Sequence, residues 1–434
     1  MKNLLKKILK FLAIKTIKKY QPGVIIVTGS VGKTSVKEAV YTVLRNFRKV
    51  RPSNRSFNDE FGIPVTILGN WSDEELKLVS REFPKGANFI KKLFFWFKVI
   101  IAGFFNLIFT KKSFYPELLI LEYAADRPGD LDYLLEIAKP QISIVTAVGE
   151  LPAHIEFYSG PDAVAREKVK VIEALSLTGF GILNFDDEAV LDMKEKTRAH
   201  VMTFGFGEGA DIRINNLENQ CEDLPNGTIK PIGLSFNLEH TGNFASIRLD
   251  GVFGKAQAYA VAAAACVGIV FGINLARVAE EIQYYEAPKR RLKLLPGIKG
   301  SFILDDSYNA SPLSMHAAIE TMRDLRAKRK VAVLGDMLEL GQYAMDAHEQ
   351  IGRLTRKVFD ILVTIGPRGK LIADGALRAG FDKNRVFSFD SSDEARLEVQ
   401  RIIQKGDLVL VKASRAMQLD KIVEEIRHQT APIV

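Results

Sequence analysis

Short apolar runs alternate with helical patterns through most of the chain, which predicts strands alternating with helices. Residues 24–27 are β-branched, as in a buried strand, whereas residues 34–46 carry apolar positions at helical spacing. Residues 118–121 form a second apolar run that ends in Glu122, as expected of a buried parallel strand with an acid at its carboxyl end. Further strands are predicted at residues 142–148 and 182–183. The pattern indicates an α/β fold with a parallel-rich sheet.

The alternation of strands and helices starts again in the second half of the chain, after a stretch with a different pattern. Residues 201–253 alternate strand-like segments with Gly and Asn turns, which predicts a smaller antiparallel patch. The apolar, Ala-rich residues 256–273 predict a buried helix. Later strands are predicted at residues 302–304, 331–334, 361–365, 386–389 and 408–411. We therefore expect a central domain over residues 23–290 and a C-terminal, Rossmann-like α/β domain over residues 291–434.

The first 22 residues form a basic, amphipathic segment of their own. Lysines alternate with Leu, Ile and Phe at helical spacing over residues 1–20, and no acidic residue precedes Glu38. Such a helix can lie on an anionic membrane surface or pack on the protein with its lysines in solvent, and the sequence leaves both open. Lysines interrupt each apolar stretch and no small-residue cleavage site follows, so a secretory signal peptide is not indicated.

A second unusual segment, residues 91–112, is largely apolar between two lysine pairs and is interrupted by Lys98. Its length makes it a candidate for a membrane span. Spanning would place the strand at residues 24–27 and the strand at residues 118–121 on opposite sides of a membrane, although both are expected in one sheet. We therefore favour an interfacial helix or a hydrophobic partner site, with a helix buried inside the protein as the alternative.

Composition narrows the class of protein further. The net charge is +8, and the two cysteines and six histidines show no zinc-ligand spacing and no disulfide framework. The basic charge lies on a helix with an apolar face and accompanies no recognisable nucleic-acid module, so we expect no nucleic-acid partner. The two cysteines fit a reducing cytosol, and a cytoplasmic monomer, peripheral at the inner membrane face, is the expectation.

The sequence TGSVGKTS, residues 28–35, predicts a phosphate-binding turn between a strand and a helix. Glycines let the backbone N–H groups point inward, a lysine reaches the outer phosphates and a hydroxyl can ligate Mg²⁺. The full P-loop pattern would have glycine at position 27, where this chain has Val27, so an ordinary strand-to-helix turn is the alternative. Glu122 would lie at the same edge of the sheet, opposite Thr34, and could bind the metal ion.

Several separated stretches resemble the Mur ligases, ATP-dependent amide-forming enzymes of peptidoglycan assembly, and among them the MurF type that adds D-alanyl-D-alanine. The resembling stretches are TGSVGKTSVKE, SFNDEFGIPVTIL, LEYAADRPGD, AHIEFYSG, VAREK, GILNFDDE, RRLKLLPG, LDDSYNASPLSM, VLGDMLELG and VLVKASRAM. They run in family order from about residue 22 to the C-terminal region. SFNDEFGIP, DDSYNASP and GDMLELG are specific to the MurF-like branch.

The resemblance implies a role for each matching position. ATP phosphates and one Mg²⁺ would be held by Gly29, Ser30, Gly32, Lys33, Thr34 and Ser35, with Glu122 as carboxylate ligand. His154 would bind a second Mg²⁺, and Lys168 matches the family's carbamoylated lysine, whose neutral amine captures CO₂ and becomes an anionic metal ligand. Lys33, Glu122, His154 and Lys168 would be the catalytic residues. Further nucleotide contacts are implied for Gln257, Arg291 and Asp306. Contacts with the incoming amino substrate are implied for Tyr308, Asn309, Lys412, Ser414 and Arg415.

Three departures from the family pattern affect the expected substrates. The family carries a UDP-sugar-binding domain before its P-loop, whereas Gly29 stands only 28 residues into this sequence. The adenine motif G-R-H-N-x-x-N reads GVFGKAQ, with Gly254 and Gln257 at the asparagine positions, and E-L-G-A-N reads EYAAD. The resemblance still implies a muramoyl-peptide acceptor and D-alanyl-D-alanine. The alternatives are another Mur-type amide ligase with a different or membrane-linked acceptor, and a non-catalytic ATP-binding scaffold.

Overall fold

The computed structural model describes residues 2–54, 57–79, 89–225 and 227–427. The strands are β1 Gly23–Thr28, β2 Val50–Pro52, β3 Leu118–Glu122, β4 Ile142–Val145, β5 Phe180–Asn184, β6 His200–Gly205, β7 Ile212–Asp223, β8 Ile229–His240, β9 Asn243–Asp250, β10 Lys293–Pro296, β11 Phe302–Asp305, β12 Lys330–Gly335, β13 Ile361–Ile365, β14 Val386–Phe389 and β15 Leu408–Lys412.

The α-helices are α1 Lys2–Tyr20, α2 Lys33–Leu44, α3 Gly62–Leu68, α4 Asp73–Val79, α5 Phe89–Phe109, α6 Asp130–Ile137, α7 Pro161–Lys168, α8 Lys170–Glu173, α9 Glu188–Leu191, α10 Lys255–Val270, α11 Leu275–Ile282, α12 Pro312–Asp324, α13 Ala344–Thr355, α14 Gly369–Arg378, α15 Ser392–Ile402 and α16 Asp420–Ile426. Short 3₁₀ helices span Lys112–Phe114, Ile155–Phe157, Asp192–Lys196, Ile298–Gly300, Gly341–Tyr343, Lys383–Arg385 and Arg415–Met417.

The first sheet has the strand order β2-β3-β1-β4-β5-β6-β7-β8-β9, and it is parallel from β2 to β7. Ile25 and Val27 of β1 face α2 and α10, whereas Val24 and Ile26 face α1, α3 and α6, because successive side chains of a strand point to opposite faces. Burial on both faces explains why β1 is apolar throughout. The carboxyl ends of β1 and β3 lie side by side, with Val27 paired to Glu122.

The predicted antiparallel patch is present as β7, β8 and β9, and β7 pairs in parallel with β6, so these strands extend the main sheet. One prediction about this sheet needs correction. The strand predicted at residues 142–148 ends at Val145, because Thr146 turns its hydroxyl and N–H toward Thr28 and the P-loop.

The second sheet has the order β10-β11-β15-β12-β13-β14 and is parallel except for β10. Each of the five strands predicted for this region is present, and the predicted α/β class is confirmed. The second sheet begins at Lys293. The boundary placed near residue 290 stays a prediction.

The basic helix α1 packs on the protein. Leu9, Leu12, Ala13 and Tyr20 are buried against α3, α5 and α6, while most of its lysines are exposed or half-buried. Of the two predicted alternatives for α1, the structure therefore shows a helix that packs on the protein through its apolar face. The lysine face remains open to solvent.

Unlike α1, the apolar helix α5 leaves most of its apolar side chains exposed. It is long and apolar enough to cross a membrane by length and composition, yet only 17% of its apolar window is buried. Phe95, Val99 and Gly103 are its buried residues. The alternative of a helix buried inside the protein is therefore wrong, because most of the apolar side chains of α5 face solvent.

Candidate functional site

The turn between β1 and α2 has the backbone of a phosphate-binding loop. Gly29 has φ 144°, and a Cβ atom there would lie 2.0 Å from Thr146 Oγ1, so the position requires glycine. Gly32, with φ 83°, immediately precedes Lys33, the first residue of α2. The Ser30 Oγ is buried and has no hydrogen-bond partner among the residues that the structure describes. An anion at this helix N-terminus would supply that partner, so the turn fits a phosphate group.

The side chain of Lys33 folds back into this turn. Its Nζ donates to the Gly29 carbonyl at 2.7 Å, with the Ser30 carbonyl at 3.4 Å. Burial lowers the pKa of Lys33, and the nearby carboxylates of Glu122 and Asp126 oppose that effect. The hydrogen bonds of Lys33 Nζ go to neutral backbone carbonyls, which leaves room for an anionic partner that the phosphates of ATP would provide.

Glu122 lies at the carboxyl end of β3 and is almost completely buried. Its two carboxylate oxygens accept hydrogen bonds from Thr34 Oγ1 and Asn58 Nδ2, both at 3.0 Å, and the Lys37 Nζ lies 3.9 Å away. A carboxylate and a hydroxyl beside a phosphate turn are the oxygen ligands that Mg²⁺ prefers. The pairing of Thr34 with Glu122 is as predicted. Asn58 was not singled out, although it belongs to the SFNDEFGIP stretch.

His154 lies in the loop after β4, with φ 66°. Its Nε2 is 3.3 Å from Asp126 Oδ1, and its Nδ1 is 2.5 Å from Glu339 Oε2, although without hydrogen-bond geometry. Glu339 belongs to the GDMLELG stretch of the C-terminal region, so this contact joins the two halves of the molecule. Sequence reasoning did not predict Asp126 or Glu339 as site residues. The only signal for Asp126 was that it stands where the family pattern has asparagine.

Lys168 is the last residue of α7 and is 1% exposed. Burial lowers the pKa of its amine to about 7, and repulsion by Lys33 adds to this, while Asp126 and Glu167 oppose it. The helix is held in place because Glu167 Oε1 accepts hydrogen bonds from the N–H groups of Gly129 and Leu131 at 3.1 and 3.0 Å. A substantially neutral amine is what carbamoylation by CO₂ requires, so Lys168 fits the predicted modification.

The metal-ligand set is incomplete without contributions from substrate. Within the described part of the chain, no three His, Cys, Asp or Glu side chains stand close enough to hold a metal ion by themselves. Mg²⁺ keeps several water molecules and is commonly bound by one or two carboxylates together with substrate phosphates. Glu122 with Thr34, and His154 with Asp126, therefore fit Mg²⁺ that arrives with ATP.

We expect Asp126→Asn to raise the Mg²⁺ concentration needed for half-maximal phosphate release by about tenfold, because an anionic group beside His154 is lost. A Mg²⁺ titration of ATP hydrolysis measures this. Asp132→Asn is the matched control, since Asp132 is an exposed carboxylate paired with Lys170. Identical Mg²⁺ curves for Asp126→Asn and the unmodified protein would show that Asp126 does not contribute to Mg²⁺ binding.

Arg291, Tyr308 and Arg415 form a second cluster, next to the first. The guanidinium carbons of Arg291 and Arg415 lie 4.3 and 5.6 Å from the centre of the Tyr308 ring. Arg291 also lies near enough to Lys33 to help lower its pKa. The structure therefore groups the predicted junction arginine with two of the five residues predicted to contact the amino substrate, and places that arginine within electrostatic range of Lys33.

Three other residues that were predicted to contact ligands make contacts within the protein itself. Ser35 is buried beside Tyr285. Gln257 Oε1 accepts from the Tyr285 hydroxyl at 2.6 Å, and Gln257 Nε2 lies 3.5 Å from the Arg291 carbonyl. The Ser414 hydroxyl accepts from the Leu338 N–H at 2.8 Å. The roles of Ser35, Gln257 and Ser414 toward ligands stay predictions.

Asp306 and Lys412 form a buried ion pair. Lys412 Nζ donates to Asp306 Oδ2 at 2.5 Å and to the Asn309 carbonyl at 3.0 Å, and the lysine is 1% exposed. Asp306 Oδ1 accepts from the Leu292 N–H at 3.2 Å. Burial lowers the pKa of Lys412, and Asp306 opposes that effect. The pair thus joins β15 to the loop after β11, and its predicted contacts with nucleotide and amino substrate stay predictions.

Asp306→Ala is expected to lower the free energy of unfolding by about 3 kcal/mol or more, because it leaves the Lys412 ammonium buried without its anionic partner. Urea denaturation followed by circular dichroism measures the change. The double variant Asp306→Leu with Lys412→Met should recover most of the loss. Arg326→Ala, which breaks an exposed pair with Asp223, should change stability little. A loss in Asp306→Ala no larger than in Arg326→Ala would contradict the expectation.

Comparisons with known proteins agree with this geometry. Residues 105–268 match the Mur ligase middle domain, and residues 290–415 match the Mur ligase glutamate ligase domain. The chain is 29% identical over 405 residues to the UDP-N-acetylmuramoyl-tripeptide–D-alanyl-D-alanine ligase of Bacillus subtilis, which covers 93% of this chain and 75% of that relative.

Solved structures give the same fold. The MurF ligase of Thermotoga maritima in complex with ADP aligns with a TM-score of 0.75 at 24% identity, covering 97% of this chain and 83% of that one. MurF from Acinetobacter baumannii aligns with a TM-score of 0.74 at 22% identity, covering 96% and 79%. Together with the two domain matches, these similarities place the chain in the Mur ligase family, as a MurF-like member.

Proposed function

We propose that this chain is an ATP-dependent ligase of peptidoglycan precursor synthesis that joins D-alanyl-D-alanine to the carboxylate of a muramoyl peptide. The observation that carries the proposal is the arrangement at the carboxyl ends of β1 and β3. There, Lys33 and Thr34 of a phosphate turn meet Glu122, with the buried amine of Lys168 within electrostatic range of Lys33. The names of the relatives from Bacillus subtilis and other bacteria support the substrates.

The residues of the candidate site explain how the carboxylate of the acceptor would be activated. A carboxylate is a poor acyl donor, so transfer of the γ-phosphoryl group of ATP to it gives an acyl phosphate. Lys33 and the N-terminus of α2 would stabilise the negative charge on the transferring group. Mg²⁺, when bound, would neutralise the phosphates and orient the carboxylate. Attack by the amine of the dipeptide then forms the amide bond and releases phosphate.

We propose that two Mg²⁺ ions bind, with Thr34 and Glu122 holding one, and His154 and Lys168 contributing to the other. Carbamoylation would convert the Lys168 amine to an anion, which adds an oxygen ligand to the carboxylate of Asp126 at the second site. The burial of Lys168 and its lowered pKa support this role.

Acyl phosphates hydrolyse readily, so the reacting groups must be kept from water. We propose that the C-terminal half closes over the phosphate turn and delivers Arg291 and the residues around Asp306. The approach of Glu339 to His154 supports such a closed arrangement. We further propose that the enzyme is cytoplasmic and peripheral at the inner membrane face, with contact through residues 1–20 and 91–112.

Phosphate release from ATP tests the proposal, with D-alanyl-D-alanine and a UDP-muramoyl-tripeptide added separately and together. Release that requires both substrates supports the ligase. Release only with a lipid-linked muramoyl peptide would support a ligase whose acceptor is membrane-linked. Absence of release with every acceptor, despite measurable ATP binding, would overturn the proposal in favour of an ATP-binding scaffold.

A further inference from the structure

We propose that α5, together with the lysine face of α1, is a docking surface for an anionic phospholipid bilayer, and that α5 lies in the plane of the interface. The inference makes specific the membrane location proposed above. It does not depend on the ligase activity, because lipid binding is measured without turnover.

The outward face of α5 is an unbroken apolar stripe. Ten large apolar residues of α5 are exposed, from 48% at Phe104 to 80% at Ile90, and eight of them form this stripe. They are Ile90, Leu93, Phe94, Phe97, Ile101, Phe104, Phe105 and Ile108. At about 100° per residue, these positions fall within an arc of about 120°. A surface helix of a soluble protein normally turns polar residues toward water, whereas the exposed face of α5 is apolar.

The opposite face of α5 is fixed to the protein. Phe95 and Val99 are buried in a cluster with residues of α1, α3 and α4. A Cβ atom on Gly103 would lie 3.2 Å from Leu12 and 3.1 Å from Leu68, so glycine allows close packing there. Lys19 Nζ donates to the carbonyls of Asn106, Leu107 and Thr110 at 3.0, 2.9 and 3.0 Å, at the end of α5.

These contacts decide between lying on a bilayer and crossing one. A spanning α5 would have to leave the cluster with α1, α3 and α4. It would also have to separate β1 from β3, which flank α5 along the chain and pair in parallel in one sheet. A helix with one face on the protein and an apolar stripe on the other fits an interfacial position.

The charges around the stripe favour anionic lipid over a protein surface. Lysines stand at both ends of α5, at positions 91, 92, 111 and 112, and exposed lysines of α1 include Lys7, Lys15 and Lys18. No acidic residue occurs between residues 89 and 116 or before Glu38. The neighbouring α4 carries exposed Asp73 and Glu74 at its start, and Glu75 pairs with Lys98. Lysines that border a Phe-rich stripe match negatively charged headgroups above an apolar interior.

The docking surface is connected to the candidate site through α3. This helix packs against both α1 and α5, and the loop before it places Asn58 Nδ2 3.0 Å from Glu122. A bilayer on α5 would therefore lie one helix away from the proposed metal carboxylate.

Sedimentation of the purified full chain with vesicles tests the inference. We expect binding to vesicles that mix phosphatidylcholine with phosphatidylglycerol, weaker binding to phosphatidylcholine alone, and weakening at high salt. The only two tryptophans are Trp96, which belongs to α5, and Trp71, whose ring packs against Phe95 of α5, so their fluorescence reports binding at this helix. Phe97→Glu with Ile101→Glu should lower the apparent vesicle affinity at least tenfold. Both residues are exposed, so the variant should fold.

Phe244→Glu is the matched control, because Phe244 is 63% exposed and lies on β9, far along the chain from α5. Equal binding by the stripe variant and this control would overturn the inference. So would absence of binding to anionic vesicles, or a concentration-dependent dimer that the stripe variant abolishes, which would assign the stripe to a second copy of the chain. Phosphate release with a soluble acceptor should be unchanged in the stripe variant, which separates this inference from the proposed ligase activity.

Discussion

Replacing Lys33 with alanine is expected to lower ATP-dependent phosphate release by about a hundred- to a thousandfold. The lysine starts α2 beside the glycine turn and lies where it can meet the outer phosphates of ATP. Loss of its charge removes stabilisation of the transferring phosphoryl group but leaves the turn itself, which depends on Gly29 and Gly32. The measurement is the initial rate of phosphate release at saturating ATP and Mg²⁺.

Lys139→Ala serves as the control for this variant, since Lys139 is exposed after α6. Circular dichroism should show that both variants fold as the unmodified protein does. If Lys33→Ala kept more than a tenth of the activity while Lys139→Ala kept all of it, the phosphate turn would not be the catalytic one.

Replacing Lys168 with alanine is expected to reduce ligation by a similarly large factor, about a hundredfold or more. A buried alanine cannot capture CO₂, so the proposed anionic metal ligand is lost. The neutral fraction of the Lys168 amine increases as pH rises through its pKa of about 7, so activity of the unmodified protein should increase from pH 6 to pH 8 and respond to added bicarbonate. The Lys168→Ala variant should not respond to bicarbonate.

Lys170→Ala is the matched control, because Lys170 is two residues away and half-buried, pairs with Asp132 and Glu167, and is not among the residues proposed to bind metal or ATP. Carbon-13 NMR with labelled bicarbonate should show a carbamate signal that disappears in Lys168→Ala and persists in Lys170→Ala. Full ligase activity in Lys168→Ala would exclude the carbamate, whereas loss in both variants would indicate damage to α7.

Local features of the sequence were enough to predict the phosphate turn and Glu122. A strand, a turn of fixed length and a helix start are contiguous, so Gly29, Lys33 and Thr34 can be placed without knowing the rest of the fold. Glu122 followed from one further rule, that parallel strands present their carboxyl ends at one edge. The contact between Thr34 and Glu122 bears this out.

Residues joined only by tertiary contacts were harder to predict. Asp126, Glu339 and Asn58 come from three distant loops, and their only mark in the sequence is that they lie in family-like stretches; the tertiary structure brings them to His154 and Glu122. His154 and Lys168 were predicted through family resemblance, since neither a loop histidine nor a helix lysine has a distinctive spacing. Their burial and charge environment depend on packing between α7 and the sheet.

By itself, the sequence determined the α/β class, most strands of both sheets other than the edge strands β2 and β10, and the glycine turn between β1 and α2, because periodicity and turn chemistry act over a few residues. The tertiary structure alone decided that β7 to β9 extend the main sheet and that Lys412 pairs with Asp306. It also decided that α5 turns its apolar stripe outward. Hydrophobic spacing shows that a helix has an apolar face. Which face meets the protein depends on the neighbours that long-range folding brings to it.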